Sequence, residues 1–241
     1  MSSNIISMKD FFLKYRDIAI SSNYCFKNKS FLIPKVPLER NIVKISNKKI
    51  NTELMREEIK NFNKWTNKDP FTHKWKSITL KSYNGENQDF LEKHYFGIKE
   101  NNKFLYTENI NHFLNIRFFL ECLNCEIYLV RLLKLEKGGL IKYHTDGMVF
   151  REEKEIIRIH LPIITDEKNI VKIGYPLQEP APGYSIWNAI TFYKKNLEEG
   201  YLYYINVNTL HSVENRSEID RVHLVIDLKP NNIIRNKLGI I

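Results

Sequence analysis

The chain has 241 residues, 43% of them hydrophobic, with a formal net charge of +9 and three cysteines. That length and composition allow one large core or at most two small ones, and three thiols exclude a disulfide-built scaffold. The positive charge is compatible with an acidic partner, but no run of five or six basic residues occurs, so no nucleic acid is expected as a ligand.

From the N-terminus, Met1 to Asp10 lacks the charged start and apolar stretch of a signal peptide. No run approaches the roughly 18 apolar residues of a membrane span; residues 127–133 are interrupted by Arg131. A soluble, reducing, cytoplasmic setting is the expectation. Residues 1–70 read as a mixed, largely helical support region. Within it, 52–66 predicts an amphipathic helix, capped by Thr52, with Leu54, Ile59, Phe62 and Trp65 near one face.

Residues 71–230 read as the main domain. Trp75 to Ser82 alternates like a strand and ends at an Asn84-Gly85 turn. Residues 107–123 predict one helix with Ile110, Phe113, Leu114, Phe118 and Cys122 towards the core. Cys122 and Cys125 form a lone C-x-x-C without the further ligands a zinc site needs, and read as ordinary thiols. From 127 onward come seven punctuated strands: 127–135, 140–146, 155–164, 170–175, 185–193, 201–207 and 220–228. The fold is therefore mainly β with helical additions (α+β), a barrel or jelly roll. Residues 231–241 read as a loose polar tail.

The strands carry a constellation of donor residues. His144 and Asp146, two apart in Tyr143-His144-Thr145-Asp146, share a strand face with Lys142. His211 follows at a strand end beside a polar turn. His-x-Asp with one distant His is the donor pattern of a non-haem iron(II) centre, which leaves one face of the ion open. Arg221 stands ten positions after His211, where oxygenases of this type hold 2-oxoglutarate. His73, His94 and His112 lack such company and read as structural or surface residues.

Alternation sorts two more strands. Ile157, Ile159, Leu161 and Ile163 oppose Arg158 and His160; Val222, Leu224 and Ile226 oppose Arg221 and His223. Taken alone, such strands present a polar face to water. Two Arg-x-His strands beside a His-x-Asp strand point instead to a polar cavity. Arg131 shares parity with Ile127, Leu129, Leu133 and Leu135. On that apolar face it either pairs with a structural carboxylate or binds a substrate acid group.

Arg131-Leu-Leu-Lys-Leu, Gly139-Leu-Ile-Lys-Tyr-His144-Thr-Asp146, Ile157-Arg158-Ile-His160-Leu-Pro162, His211-Ser-Val-Glu-Asn215 and Asp220-Arg221-Val-His-Leu-Val-Ile-Asp227 together resemble the aspartyl/asparaginyl β-hydroxylase family. These are iron(II)- and 2-oxoglutarate-dependent dioxygenases that include bacterial proline hydroxylases. The resemblance spans about residues 127 to 228 and weakens back to Trp75. It implies a double-stranded β-helix (jelly roll, cupin-like) with Fe(II) at one end, and O2 as co-reactant. It implies His144, Asp146 and His211 as the catalytic metal ligands, Arg221 on the distal carboxylate of 2-oxoglutarate, and Arg158 with His160 helping to hold that cosubstrate. Some members lack the carboxylate ligand; the presence of Asp146 places this chain with those that keep it and argues against halogenation.

The first substrate expectation is a free amino acid or similar small zwitterion, since the barrel and its supports use nearly the whole chain. The second is an Asp, Asn or Pro side chain within a peptide, an acidic one being drawn by the basic surface. A lipid chain ranks third, because no membrane-binding segment is visible. A metal-binding jelly-roll module without turnover is the alternative outside enzymes. The loop 147–154, with Met148, Phe150 and Arg151, is expected to close over the site, with Arg151 and Arg131 as candidate grips for substrate.

Overall fold

Period-two alternation, sustained over nine or ten residues in β3 (Trp75–Tyr83), β5 (Glu126–Leu135) and β12 (Arg221–Lys229), builds the frame of the molecule. The computed structural model describes residues 41–68, 74–87, 103–146, 156–176, 189–207 and 209–239, all within the compact unit Val36–Ile241. The larger sheet runs β1 (Ile42–Lys44), β10 (Tyr203–Ile205), β7 (Ile157–Ile164), β12, β5, β3 and β2 (Thr66–Asn67), with β4 (Phe104–Tyr106) also on β3. The smaller runs β6 (Leu140–His144), β11 (His211–Asn215), β8 (Asn169–Pro176) and β9 (Ala189–Asn196). All pairings among these strands are antiparallel. The arrangement is the double-stranded β-helix, a jelly roll.

Two apolar clusters lie on the two faces of the larger sheet. Ile157, Ile159, Leu161, Ile163, Val222, Leu224 and Ile226 pack outward against α1 (Glu53–Lys60), α2 (Leu114–Cys122) and α3 (Asn232–Leu238). Each such buried side chain stabilises by roughly 1.5–3 kcal/mol. On the inner face, Leu135, Tyr203 and Ile205 meet Val171, Ile173 and Val213 of the smaller sheet. The polar inner residues described below continue this second face.

Several local expectations shift. Residues 107–123 are not one helix: a 3-10 turn, Glu108–His112, precedes α2, and Phe113 (φ −134°) separates them. The phase counted from Thr107 does not carry across that break. Ile110 and Phe113 are buried as expected, but Leu114, Phe118 and Cys122 are exposed, and Ile116 and Leu120 fill the core. In α1, Leu54 is exposed and Met55 is buried beside Ile59. Thr52 makes no capping bond; its hydroxyl donates to Glu199 Oε1 at 2.8 Å, and Asn51 Oδ1 accepts from Glu53 N. Residues 231–239 of the expected loose tail form a helix with its caps: Asn231 caps α3 through Ile234 N, and Gly239 ends it in the left-handed region (φ 66°). The short strands β1, β2 and β4 and the whole of β11 went unanticipated.

Candidate active site

β6 and β11 lie side by side with His144 opposite His211. The register then slips, so that Val213 pairs with Ile141 and β6 carries one residue more. Such a bulge re-aims side chains. Ile141 accordingly packs against the inner cluster, while Lys142 is exposed and does not share the ligand face, contrary to strict alternation. Asp146, just beyond β6, is placed by its N–H donating to Val207 O at 2.9 Å.

The three expected donors converge. The two imidazole rings are 4.3 Å apart, and His144 Nε2 is 3.4 Å from Asp146 Oδ1. One donor atom from each of His144, Asp146 and His211 falls within 4.8 Å of the others. The ring orientations are fixed from behind. His144 Nδ1 lies 2.8 Å from Lys142 O and His211 Nδ1 lies 3.0 Å from Thr209 O. A carbonyl oxygen only accepts, so each Nδ1 carries the proton and each Nε2 is left as a metal donor. Two imidazoles and one carboxylate fit Fe(II).

Electrostatics separate the donors. Burial alone would raise the Asp146 carboxyl, but the Arg158 guanidinium, the hydrogen bond from His144 and the two imidazoles hold it far below the usual carboxylate range. Burial pushes His211 down to about 4, helped by the charge of His144. Burial opposes charge on His144 too, but the Asp146 hydrogen bond and charge outweigh it and raise its pKa.

The two Arg-x-His pairs sit on the inner face, on neighbouring strands β7 and β12. Arg158 is in register with Asp227. Its Nε donates to Asp227 Oδ1 at 2.6 Å and its Nη2 to Oδ2 at 2.7 Å, while Nη1 bonds Asp146 Oδ2. Arg221 is 4% exposed, and its hydrogen-bond partner among the described residues is His223, through Nη2 to Nδ1 at 2.8 Å. No carboxylate among the described residues pairs with it. Burial brings its pKa down to about 9. His160 and His223 are both held well below the ordinary imidazole range, first by burial and then by the Arg221 charge.

Arg131 is buried on the inner face of β5, in register with Val225 on one side and Thr79 on the other. Val225 in turn is in register with His160. Parity fails for Ile127. β5 pairing jumps from Leu129 to Ile127 opposite Asp227 and Leu228, so Tyr128 is an extra residue and Ile127 joins the outer cluster. Along this inner face Thr79 Oγ1, both ring nitrogens of His160 and Nε2 of His223 are buried without a hydrogen-bond partner among the described residues. Arg151 and the loop 147–154 lie outside the described residues, as do His73 and His94. Asp227 was missed as a site residue. Its signal was parity: 221, 223, 225 and 227 share a face, and a buried Arg158 needs a counter-charge.

A double-stranded β-helix with two histidines and an aspartate converging at one end has the donor set of a non-haem iron centre. The family model for aspartyl/asparaginyl beta-hydroxylase matches residues 40–230, and the chain belongs to that family. It is accordingly a hydroxylase of the Fe(II)- and 2-oxoglutarate-dependent type. No curated protein matches the chain. Among solved structures, similarity extends to a 2OG-Fe(II) oxygenase family oxidoreductase from Burkholderia pseudomallei, at 14% identity and TM-score 0.42, over 75% of this chain and 78% of that one. HygX from Streptomyces hygroscopicus, solved with nickel, 2-oxoglutarate and hygromycin B, is 10% identical with TM-score 0.42, over 79% and 82%. A cupin domain from Bordetella pertussis is 18% identical with TM-score 0.28, over 44% and 84%. No described helix is long and apolar enough to cross a membrane.

Proposed function

We propose that the protein hydroxylates an unactivated C–H bond of a free amino acid or similar small zwitterion, with His144, Asp146 and His211 as ligands of Fe(II). The observation that carries this reading is a buried polar inner face with unmet bonding capacity. Among the described residues Arg221 lacks a carboxylate partner there, and Thr79, His160 and His223 present unpartnered polar atoms. Buried polar groups left without partners cost about 1–3 kcal/mol each, so such a face suits small, polar, anionic ligands that complete it.

His144, Asp146 and His211 would hold Fe(II), and the bound ion would supply the coupling of 2-oxoglutarate oxidative decarboxylation by O2 to hydroxylation of the substrate. The residues divide the remaining work. Arg221 grips the distal carboxylate of 2-oxoglutarate through its planar fork. His223 accepts from Arg221 Nη2 and so holds that fork in place. His160, neutral and on the neighbouring strand, offers a ring N–H to the cosubstrate or substrate. Arg131, buried in the same layer, is the candidate grip for a substrate carboxylate, with Arg151 as a second. The free thiols of Cys122 and Cys125 suit a cytoplasmic setting.

A second reading, hydroxylation of an Asp or Asn side chain within a peptide, is favoured by the description of the matching family. One experiment separates the two: succinate formation from 2-oxoglutarate with Fe(II) in the presence of each free amino acid, and then of Asp-, Asn- and Pro-containing peptides. Stimulation by one free amino acid supports the first reading. Stimulation by peptides alone overturns it in favour of the second, and no stimulation by either class counts against both.

A further inference from the structure

Asp227 is 1% exposed, a depth at which a carboxylate persists only when paired. Its partner Arg158 engages it through both Nε and Nη2. A planar guanidinium fixed along one edge cannot swing. Its remaining nitrogen, Nη1, therefore stands at a set place, and there it meets Oδ2 of Asp146. Oδ1 of the same carboxylate is left beside His144 Nε2, 3.4 Å away.

We infer that Asp227 is a positioning residue for the metal centre: through Arg158 it holds Asp146 with one oxygen turned to the ion and the other engaged by the guanidinium. This rests on His144, Asp146 and His211 being the metal ligands. The orientation of the acidic ligand thus depends on a residue that is not itself a ligand.

The test is a cobalt(II) titration of the metal-free protein, followed by visible absorbance, with the melting midpoint of each metal-free chain measured alongside. Four chains are compared: the parent, Asp227→Asn, the double variant Asp227→Asn with Arg158→Met, and His211→Ala. Asp227→Asn is expected to weaken cobalt(II) binding on the order of 10- to 100-fold, the usual effect of losing an outer partner of a metal ligand. The double variant removes the stranded guanidinium and keeps the same net charge as the parent. It is expected to regain the parent midpoint while cobalt(II) affinity stays low and the spectrum differs, because Asp146 has lost its hold. Should Asp227→Asn fail to fold, the double variant carries the comparison. Parent-like affinity in Asp227→Asn, or affinity that returns with the midpoint in the double variant, overturns the inference. Failure of the parent to bind cobalt(II), or binding undiminished in His211→Ala, overturns instead the assignment of the centre.

Discussion

Arg158-Ile-His160 on β7 and Arg221-Val-His223 on β12 are the same three-residue pattern on adjacent strands of one sheet, both facing inward. Their surroundings differ completely. Arg158 is met by two carboxylates, Asp227 and Asp146, whereas Arg221 is met by a neutral imidazole. A buried cation inside a finished network organises what is already there. One that no described carboxylate meets, as with Arg221, is costly by itself and, on the function proposed above, takes its partner from a ligand. On that reading the same pattern serves two jobs, and the distinction lies in the third residue that each arginine reaches among the described ones.

The largest effect expected from that contrast is on stability. Asp227→Ala removes the carboxylate that Arg158 engages through Nε and Nη2, and breaking a buried pair in this way costs about 3–5 kcal/mol. Arg221→Met removes a cation that has no counter-charge among the described residues, so the metal-free protein should be as stable as the parent or more so. Denaturant unfolding of the two variants checks this directly. Equal losses in both would show that Arg221 is as much a structural cation as Arg158.

The next effect is on ligand binding. Arg221→Lys keeps a positive charge and loses the planar fork. The dissociation constant for 2-oxoglutarate should rise tenfold to a hundredfold, since a charge-assisted hydrogen bond is worth about 1.5–3 kcal/mol. Calorimetric titration in the presence of a redox-inert divalent ion measures it. An unchanged constant would move the clamp to another cation, with Arg131 next in place.

How much of this was legible beforehand follows from which residues obey a simple period. Arg158, His160, Arg221 and His223 were readable because β7 and β12 alternate without a break over those positions. His144 and Asp146 were readable by type, but the company of Lys142 was not, because the bulge in β6 is set by pairing with β11 and leaves no mark in the local sequence. β11 is five residues long and carries polar Ser212, Glu214 and Asn215, so it reads as a turn; its strand state comes from β6 and β8 on either side. The helix at 114–122 was misphased by a single residue, Phe113, whose conformation is not a helical one. Asp227 was visible but unassigned: its partner is 69 positions away in the chain and only the sheet register joins them.

A pH titration sharpens the comparison on its histidine side. His160, half-buried with both ring nitrogens covered, and His223, fully buried, are neutral with pKa values well below the usual range, and His211 is at about 4. In the unfolded chain these groups bind protons near pH 6.5, so below that pH the unfolded state takes up more protons than the folded one. Stability of the metal-free protein should therefore fall as pH drops from about 6.5. Each such histidine adds up to about 1.4 kcal/mol per pH unit, until the pH reaches its folded pKa. His160→Gln should make the fall shallower by about one proton's worth. An unchanged slope in that variant would mean that His160 is charged in the folded protein, and its role beside the two arginines would need to be redrawn.

The smallest expected effect concerns Thr79, whose buried hydroxyl has no partner among the described residues and which faces Arg131 across β3 and β5. Thr79→Val preserves shape and removes one orphaned polar group. If the inner face is built for a ligand, the variant should move stability and binding in opposite directions. The metal-free protein should gain about 1 kcal/mol, because an unsatisfied hydroxyl is no longer buried. Binding of whichever ligand bonds that hydroxyl should weaken about two- to tenfold, the net worth of one neutral hydrogen bond. Titrating 2-oxoglutarate and then the substrate found in the screen identifies which of the two it contacts. A gain in stability with both constants unchanged would mean that the hydroxyl serves neither ligand. The unmet capacity of this face would then narrow to Arg221, His160 and His223, and the substrate would have to lie away from β3.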